Sequence, residues 1–305
     1  FWRQVDNTTR SGRGVFTGGE VPSRTNVIDY ITIASQGNAV DFGSLVTGVL
    51  RATSGCSSST RGMICSGDSP SSRIVDIQYI TIQSAGNSID YGDLTAGSRG
   101  TSSVSSSTRG ICKIGSTPSY PGTIDAFEIA TLGNAVDFGD QVTASAASGG
   151  ASNPTRGIFG GGYNPSDMNE LSYITISSFG NSVKFGDLTS IRHSPMNGII
   201  SNTTRGFIVG GTPHGKTVNM DKIEFSSLGN AIGFGNLNTD RGEGAGCSSG
   251  TRGIAAGGWV SPTFTNAIDY FILSTSGNAT DFGDLSKARN SVSGRSDSHG
   301  GLGGF

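Results

Sequence analysis

The sequence predicts an all-β chain built from one supersecondary unit that recurs along its whole length. The same slot holds Arg13, Arg61, Arg109, Arg156, Arg205 and Arg252, then His299, with successive gaps of 48, 48, 47, 49, 47 and 47 residues. Self-similarity at such a period is typical of stacked units that share one core. No segment has a convincing helical period, and glycine interrupts the chain too often for helices.

The repeat covers nearly all of the 305 residues, so it predicts one domain, 1–305, rather than two. The approximate repeats are 3–50, 51–98, 99–145, 146–191, 192–241 and 242–289, with a partial copy at 290–305. Hydrophobic residues make up 34% of the chain and the net charge is −2, a balance that argues against disorder.

Several classes of partner are excluded by composition. The chain has no basic patch and no apolar run of membrane-spanning length, so we expect neither a nucleic-acid partner nor membrane insertion. Its four cysteines lack zinc-site spacing, and we expect no metal or cofactor. Free, buried thiols are favoured, with a disulfide between Cys56 and Cys65 as the alternative.

Each repeat is predicted to contain four strands, a to d. Strand c is clearest at 28–33, where apolar residues fall on both faces. A sheet that is buried on both sides is expected when it lies between two neighbouring sheets. The predicted fold is therefore a β-propeller of four-stranded antiparallel blades.

Two short motifs recur in all six copies and are predicted to serve the scaffold. The c–d turn holds Gly37-Asn38, Gly86-Asn87, Gly133-Asn134, Gly180-Asn181, Gly229-Asn230 and Gly277-Asn278. Strand d holds Phe42-Gly43, Tyr91-Gly92, Phe138-Gly139, Phe185-Gly186, Phe234-Gly235 and Phe282-Gly283. We expect the Gly-Asn pairs to form tight hairpins and the rings to fill the space between blades.

The number of blades is ambiguous. Strands c and d occur six times, but the a–b pair occurs a seventh time in residues 290–305, where 298–304 would be strand b. The extra a–b pair favours a ring with seven blade positions, in which a half blade lies where the two ends of the chain meet. A six-bladed ring with one displaced terminal pair is the alternative.

The repeat resembles the kelch repeat in the order of its elements. These are an Arg, a small hairpin, apolar-apolar-x-Gly-Gly, a variable loop, a Tyr-containing strand and an aromatic strand. The match covers essentially the whole chain, although Phe/Tyr-Gly replaces the tryptophan of the usual fourth strand. The variant with Thr-Arg-Gly, Ile-Asp-Tyr-Ile-Thr-Ile and Asp-Phe-Gly-Asp-Leu looks like repeats in bacteriophage virion and tail-fibre proteins. That resemblance implies a protein of the virion surface or the extracellular space.

The repeated arginines are predicted to hydrogen-bond carbonyls or to pair with strand-d carboxylates. The functional alternative is a ring of guanidinium groups for an anion or an acidic sugar. Carboxylates occur in equivalent copies rather than as an unlike pair in one cleft, and no nucleophile motif stands out, so we expect no catalytic residues.

Function is expected where the copies differ, on the face that carries the b–c and d–a loops. The candidate binding residues there are Tyr120, Tyr163, His193, His214 and Trp259. The leading hypothesis is a non-enzymatic protein that presents these loops to a host glycan or to another structural protein. A purely structural assembly module and a carbohydrate-active enzyme are the alternatives, and an intracellular kelch adaptor is a weaker one.

Overall fold

A computed structural model describes residues 12–212 and 216–303 and shows a six-bladed β-propeller. Each blade is an antiparallel sheet with strands a, b, c and d in order from the central axis outwards. In the described part of the chain, the one helical element is the 3-10 turn Gly300–Leu302, and no helix there could cross a membrane.

The strands of the first three blades follow the predicted order. Blade 1 contains strands a to d at Ser293–Ser296, Arg13–Thr17, Val27–Thr32 and Val40–Ser44. Blade 2 contains Ser54–Ser57, Arg61–Asp68, Arg73–Thr81 and Ile89–Asp93. Blade 3 contains Ser102–Ser105, Arg109–Lys113, Thr123–Glu128 and Val136–Asp140.

Blades 4 and 6 are regular, and blade 5 has an irregular inner edge. Blade 4 contains Gly149–Ser152, Arg156–Tyr163, Asp167–Thr175 and Val183–Asp187. Blade 5 contains strands b to d at Arg205–Val209, Asn219–Glu224 and Ile232–Asn236, with the segment 196–201 bonded along strand b. Blade 6 contains Ala245–Ser248, Arg252–Ala256, Ala267–Ile272 and Thr280–Asp284. Two small hairpins, Glu20–Val21 with Ser23–Arg24 and Trp259–Val260 with Thr263–Phe264, extend b–c loops.

The preference for seven positions was wrong. The seventh strand a, Ser293–Ser296, pairs with Arg13–Thr17 and so supplies the inner strand of blade 1. The residues expected to form a seventh strand b instead make the 3-10 turn Gly300–Leu302. The ring therefore closes by joining the C-terminal strand to the first described strand, the displaced-pair alternative, which leaves no half blade at the seam.

The hydrophobic core consists of six clusters, each of which joins residues from two neighbouring blades. In one of them, Phe42 of blade 1 packs with Ile64 and Ile80 of blade 2. Strand c is buried on both faces, since Ile28 and Ile31 are 0% and 3% exposed. Blades are thus stabilised by contact with their neighbours, as the sequence pattern predicts.

The outer edge of each strand d is covered by the c–d turn of the following blade. At the joint between blades 5 and 6, Gly277 N donates to Phe234 O at 3.0 Å, and Ala279 N donates to Asn236 O at 2.8 Å. The side chain of Asn278 accepts a hydrogen bond from Asn236 N at 3.1 Å. The same Asn-to-backbone bond occurs at the other five joints. The Gly-Asn motif therefore links neighbouring blades. The expected tight hairpin at this motif was wrong, because the chain turns earlier, where Ser35 N donates to Thr32 O at 3.1 Å, and Gly37-Asn38 follow that turn.

The repeated arginines also link blades, in agreement with the predicted carbonyl contacts. Arg252 Nη1 donates to Ile33 O and Ala34 O at 3.0 and 2.8 Å, across the seam of the ring, and its guanidinium lies 5.0 Å from the centroid of Tyr270. The other five donate to carbonyls of the next blade in the same way. None of the six guanidinium groups forms an ion pair with a strand-d carboxylate among the described residues.

A matched pair of substitutions in strand d of blade 5 tests the joint. A Cβ on Gly235 would lie 2.0 Å from Gly277 O, whereas a Cβ on Gly233 would meet nothing within 4 Å. We expect Gly235→Ala to lower the free energy of unfolding by about 2–4 kcal/mol, because the clash separates the two blades. Gly233→Ala should change it by about 1 kcal/mol or less. Urea denaturation measures both, and equal effects would contradict the role assigned to the joint.

The C-terminal segment closes the channel at the end where the a–b turns lie. His299 is fully buried, with Nε2 3.1 Å from Ser57 O and Nδ1 accepting a hydrogen bond from Gly301 N at 3.1 Å. Gly300 N donates to Ser201 O at 3.0 Å, on blade 5. Burial lowers the pKa of His299 to about 4, because a charged imidazolium would be desolvated there.

Acid should therefore destabilise the closed ring through His299. The unfolded chain binds a proton at this residue near pH 6.5 and the folded chain only near pH 4, so the free energy of unfolding falls as pH drops through this window. We expect that lowering the pH from 7.5 to 4.5 reduces the free energy of unfolding of wild type by about 2–3 kcal/mol more than that of His299→Gln. Denaturant unfolding at the two pH values measures this shift, and parallel pH profiles would rule out His299 as the source of the acid sensitivity.

Candidate binding site at the channel mouth

The six d–a loops meet in a hydrogen-bonded belt around one end of the channel. Each loop contributes one residue with positive φ to this belt. These residues are Ala52, Gly100, Ala147, Ser194, Glu243 and Ser291. At five of the six steps the backbone N–H of one member donates to the carbonyl of the preceding one, over 2.7–3.2 Å. At the sixth step Ser291 Oγ donates to Glu243 Oε2 at 3.0 Å. The belt fixes the loops as a rigid rim.

Asn197 closes the channel beneath this belt. Its carbonyl accepts hydrogen bonds from Gly246 N and Gly294 N at 2.8 and 2.9 Å, and its Nδ2 donates to Thr53 O at 2.9 Å and Thr101 O at 3.4 Å. One residue of blade 5 thus contacts the inner strands of blades 6, 1, 2 and 3. The longest interval of the repeat, 49 residues between Arg156 and Arg205, contains the extra length that makes this crossing.

Above Asn197 lies a pocket of about 370 Å³. The residues that line it include Arg51, Arg99, Tyr120, Tyr163, His193 and Glu243. Three of these are predicted binding residues: the rings of Tyr120 and Tyr163 are 6.3 Å apart, and those of Tyr163 and His193 are 5.5 Å apart. The structure therefore brings Tyr120, Tyr163 and His193 into one cluster from three different loops.

Tyr163 is positioned by a glycine turn at the end of strand b. Gly161 and Gly162 have φ of +68° and +127°, values that side-chain-bearing residues rarely adopt, and they interrupt the pairing with strand c. The backbone of Tyr163 then pairs with Ala146 in both directions, at 2.9 and 3.2 Å. Its ring, 38% exposed, is held over the mouth by these contacts.

His193 and Arg51 have partners that fix them. His193 Nδ1 lies 2.6 Å from Asp167 Oδ1, which orients the imidazole towards Tyr163. Arg51 pairs with Glu20 and, at 3.2 Å from its Nε, with Asp68 Oδ2. Nearby carboxylates therefore hold both side chains in place.

Of the other two predicted residues, the structure describes only Trp259, which lies apart from the cluster. Trp259 begins a b–c hairpin on the same face but does not line the pocket, and Lys216 Nζ lies 3.8 Å from its ring centroid. His214 lies outside the described residues. A second hollow of about 190 Å³ lies at the other end of the ring and is lined by Leu132 and Phe179 among others.

Sequence reasoning missed Arg99, Asn197 and Glu243. All three occur in d–a loops, where no motif marks them. A signal was available in the alignment of the repeats, because the slot of Arg99 holds arginine in one other copy only, and Glu243 is the single acidic residue in its slot. Copy-to-copy difference would have marked Arg99 and Glu243, but it was applied chiefly to aromatic residues and histidines.

Lys113 lies below the pocket wall, in blade 3. It is 3% exposed, and its Nζ donates to Ser145 Oγ and Ser148 Oγ at 2.8 and 2.5 Å. No carboxylate lies within ion-pair distance of it among the described residues. Burial lowers its pKa to about 7, partly opposed by the charge of Glu170.

The cysteines and acidic groups add no further chemistry in residues 12–212 and 216–303. All four cysteines are free and buried, as favoured from the sequence. No cluster of three or more His, Cys, Asp or Glu side chains there could hold a metal ion. Glu243 is the one carboxylate in the pocket lining. No known protein family matches the chain, and no curated protein is detectably similar to it.

The buried amine of Lys113 should affect stability in a pH-dependent way. The folded state loses the proton near pH 7 and the unfolded state near pH 10.5, so the penalty for burying the charge is present in full below pH 7 and decreases as pH rises. We expect Lys113→Met to stabilise the protein relative to wild type by about 2–3 kcal/mol more at pH 6 than at pH 9. Urea denaturation of both proteins at the two pH values measures the difference, and a pH-independent value would contradict the buried-amine assignment.

Proposed function

We propose that this propeller is a non-enzymatic binding protein of a virion surface or the extracellular space, and that it presents the channel-mouth pocket to a glycan. The observation that carries the proposal is the cluster of Tyr120, Tyr163 and His193 at the mouth. Aromatic rings on a rigid rim suit the apolar faces of sugar rings, and nearby polar groups suit their hydroxyls.

The construction of the site supports recognition rather than neutral loop variation. The belt and Asn197 hold the six d–a loops of the mouth by hydrogen bonds, so little conformational entropy of these loops is lost when a ligand binds. The likeness of the repeats to kelch-like repeats of phage tail-fibre proteins supports the setting, because such proteins contact host surfaces. In that setting other virion proteins are further partners.

A second candidate function is a structural module that docks its outer rim in an assembly. Exposed aliphatic residues recur at one position of strand d in five blades: Val40, Ile89, Val136, Val183 and Ile232 are 52–56% exposed. On blades 3 to 5 the c–d turns add Leu132, Phe179 and Leu228, which are 56–61% exposed. This apolar rim lies away from the pocket, so both functions are compatible with one molecule.

A glycan screen with two matched aromatic variants tests the binding proposal. We expect wild type to bind a subset of bacterial surface glycans, and Tyr163→Ala to weaken that binding at least tenfold, or about 1.4 kcal/mol, by removing a ring from the pocket. The control is Phe179→Ala, which removes a ring from the opposite end that is more exposed than Tyr163, 56% against 38%. Glycan arrays followed by titration calorimetry provide the measurement.

The outcomes separate the candidates. Loss of binding in Phe179→Ala but not in Tyr163→Ala would move recognition to the other end of the ring. Absence of binding across the screen, together with self-association that Phe179→Ala abolishes, would favour the structural module. Cleavage of a bound glycan would contradict the non-enzymatic assignment.

A further inference from the structure

Arg99 is a cation at the pocket rim that has no side-chain partner within residues 12–212 and 216–303. Arg99 is exposed and lines the pocket, yet in the described part of the chain its guanidinium makes no ion pair or hydrogen bond. Its counterpart in the preceding repeat, Arg51, is bonded to Glu20 and Asp68. The backbone of Arg99 is nevertheless fixed, since it pairs with Ser116 in both directions at 3.1 and 2.9 Å. A firmly anchored residue thus presents an uncompensated guanidinium to the pocket.

A carboxylate lies on the other side of the mouth. Glu243 is three belt positions away from Gly100, the residue after Arg99, so the two groups are opposite each other in the six-membered ring. Glu243 Oε2 accepts hydrogen bonds from Asn290 Nδ2 at 2.7 Å and Ser291 Oγ at 3.0 Å. These donors are neutral, and no cation pairs with Glu243 among the described residues. Its other oxygen is left to accept hydrogen bonds from a ligand.

The dimensions and walls of the pocket limit what can fill it. A volume of about 370 Å³ is at the small end of ligand sites. Tyr120 belongs to blade 3 and Tyr163 to blade 4, so in the order of the ring both lie between the loop of Arg99 and the loop of Glu243, and their rings are adjacent. The ligand should therefore be about one or two sugar rings in size, with an apolar face, an anionic group at one end and hydroxyl donors at the other.

We propose that the pocket binds a hexuronic acid residue of an acidic glycan. Arg99 pairs with the sugar carboxylate, Tyr163 stacks against the ring, and Glu243 accepts hydrogen bonds from sugar hydroxyls. The planar guanidinium is suited to bidentate pairing with a carboxylate, which a neutral sugar would leave unused. This inference rests on the proposed glycan-binding function and names its substrate class.

Paired monosaccharides provide the experiment. The methyl glycosides of glucuronic and galacturonic acid are titrated into wild type and compared with methyl glucoside and methyl galactoside. We expect at least one uronate to bind at least tenfold more tightly than its neutral partner. This preference should decrease when the salt concentration is raised from about 50 to about 300 mM, because salt screens the charge of Arg99. Saturation-transfer NMR detects weak binding, and calorimetry gives the affinities.

Variants assign the preference to residues. Arg99→Ala should abolish the tenfold preference, and Arg99→Lys should retain part of it, because lysine keeps the charge but loses the planar fork. Glu243→Gln should weaken acidic and neutral sugars to a similar degree. Lys184→Ala is the control, since it removes a surface cation from the outer strand of blade 4. Thermal unfolding of each variant establishes that the ring is intact.

The result can separate this inference from the proposed function. If neutral sugars bind as tightly as uronates and Arg99→Ala changes nothing, the acidic-sugar inference is overturned while glycan binding stands. If no sugar binds to the folded wild type and the glycan screen is also negative, the proposed function fails together with it.

Discussion

The joint between neighbouring blades is the constraint on which the rest of this structure depends. Each c–d turn covers the outer strand of the preceding blade, and the glycine of that strand leaves room for the approaching backbone, as Gly235 does for Gly277. The repeated arginine adds a bond from strand b to the end of strand c in the next blade. No blade is complete without its neighbour. A closed ring is the arrangement that satisfies every copy of these motifs at once, and its rigidity is what fixes the channel mouth.

The sequence predicted the blades well because their determinants are local. The alternation of strand c, the Gly-Asn turns and the aromatic-Gly pairs each act within one repeat or between adjacent repeats. Blade number was harder, since a strand a such as Ser293–Ser296 carries no mark that tells which strand b it joins. That pairing links residues almost 280 positions apart, and it is decided by ring closure rather than by propensity. The Gly-Asn motif was wrongly interpreted as a tight turn, because its role in joining blades appears only when two blades meet.

The site was predictable only in part, for a related reason. Tyr120, Tyr163 and His193 were identifiable as conspicuous side chains in variable loops of one face. Arg99 and Glu243 acquire meaning from their places on opposite sides of the belt, which no single repeat encodes. Asn197 is comparable: the 49-residue interval shows that something was added, but its contacts with four blades depend on the assembled channel. Relations across the axis are a property of the ring.

The pocket also lies where the scaffold itself departs from its pattern. Three d–a loops contain a fully buried arginine, Arg192, Arg241 or Arg289, which pairs with an aspartate in strand c of the next blade. In the other three loops this slot holds Leu50, Ser98 and Ser145. Arg51 directly follows Leu50, and Arg99 directly follows Ser98. Both arginines at the mouth therefore occur in loops that lack the buried ion pair. An arginine can be buried in this slot only where a carboxylate pairs with it; two of the three copies without the pair have an arginine one position later, at the pocket.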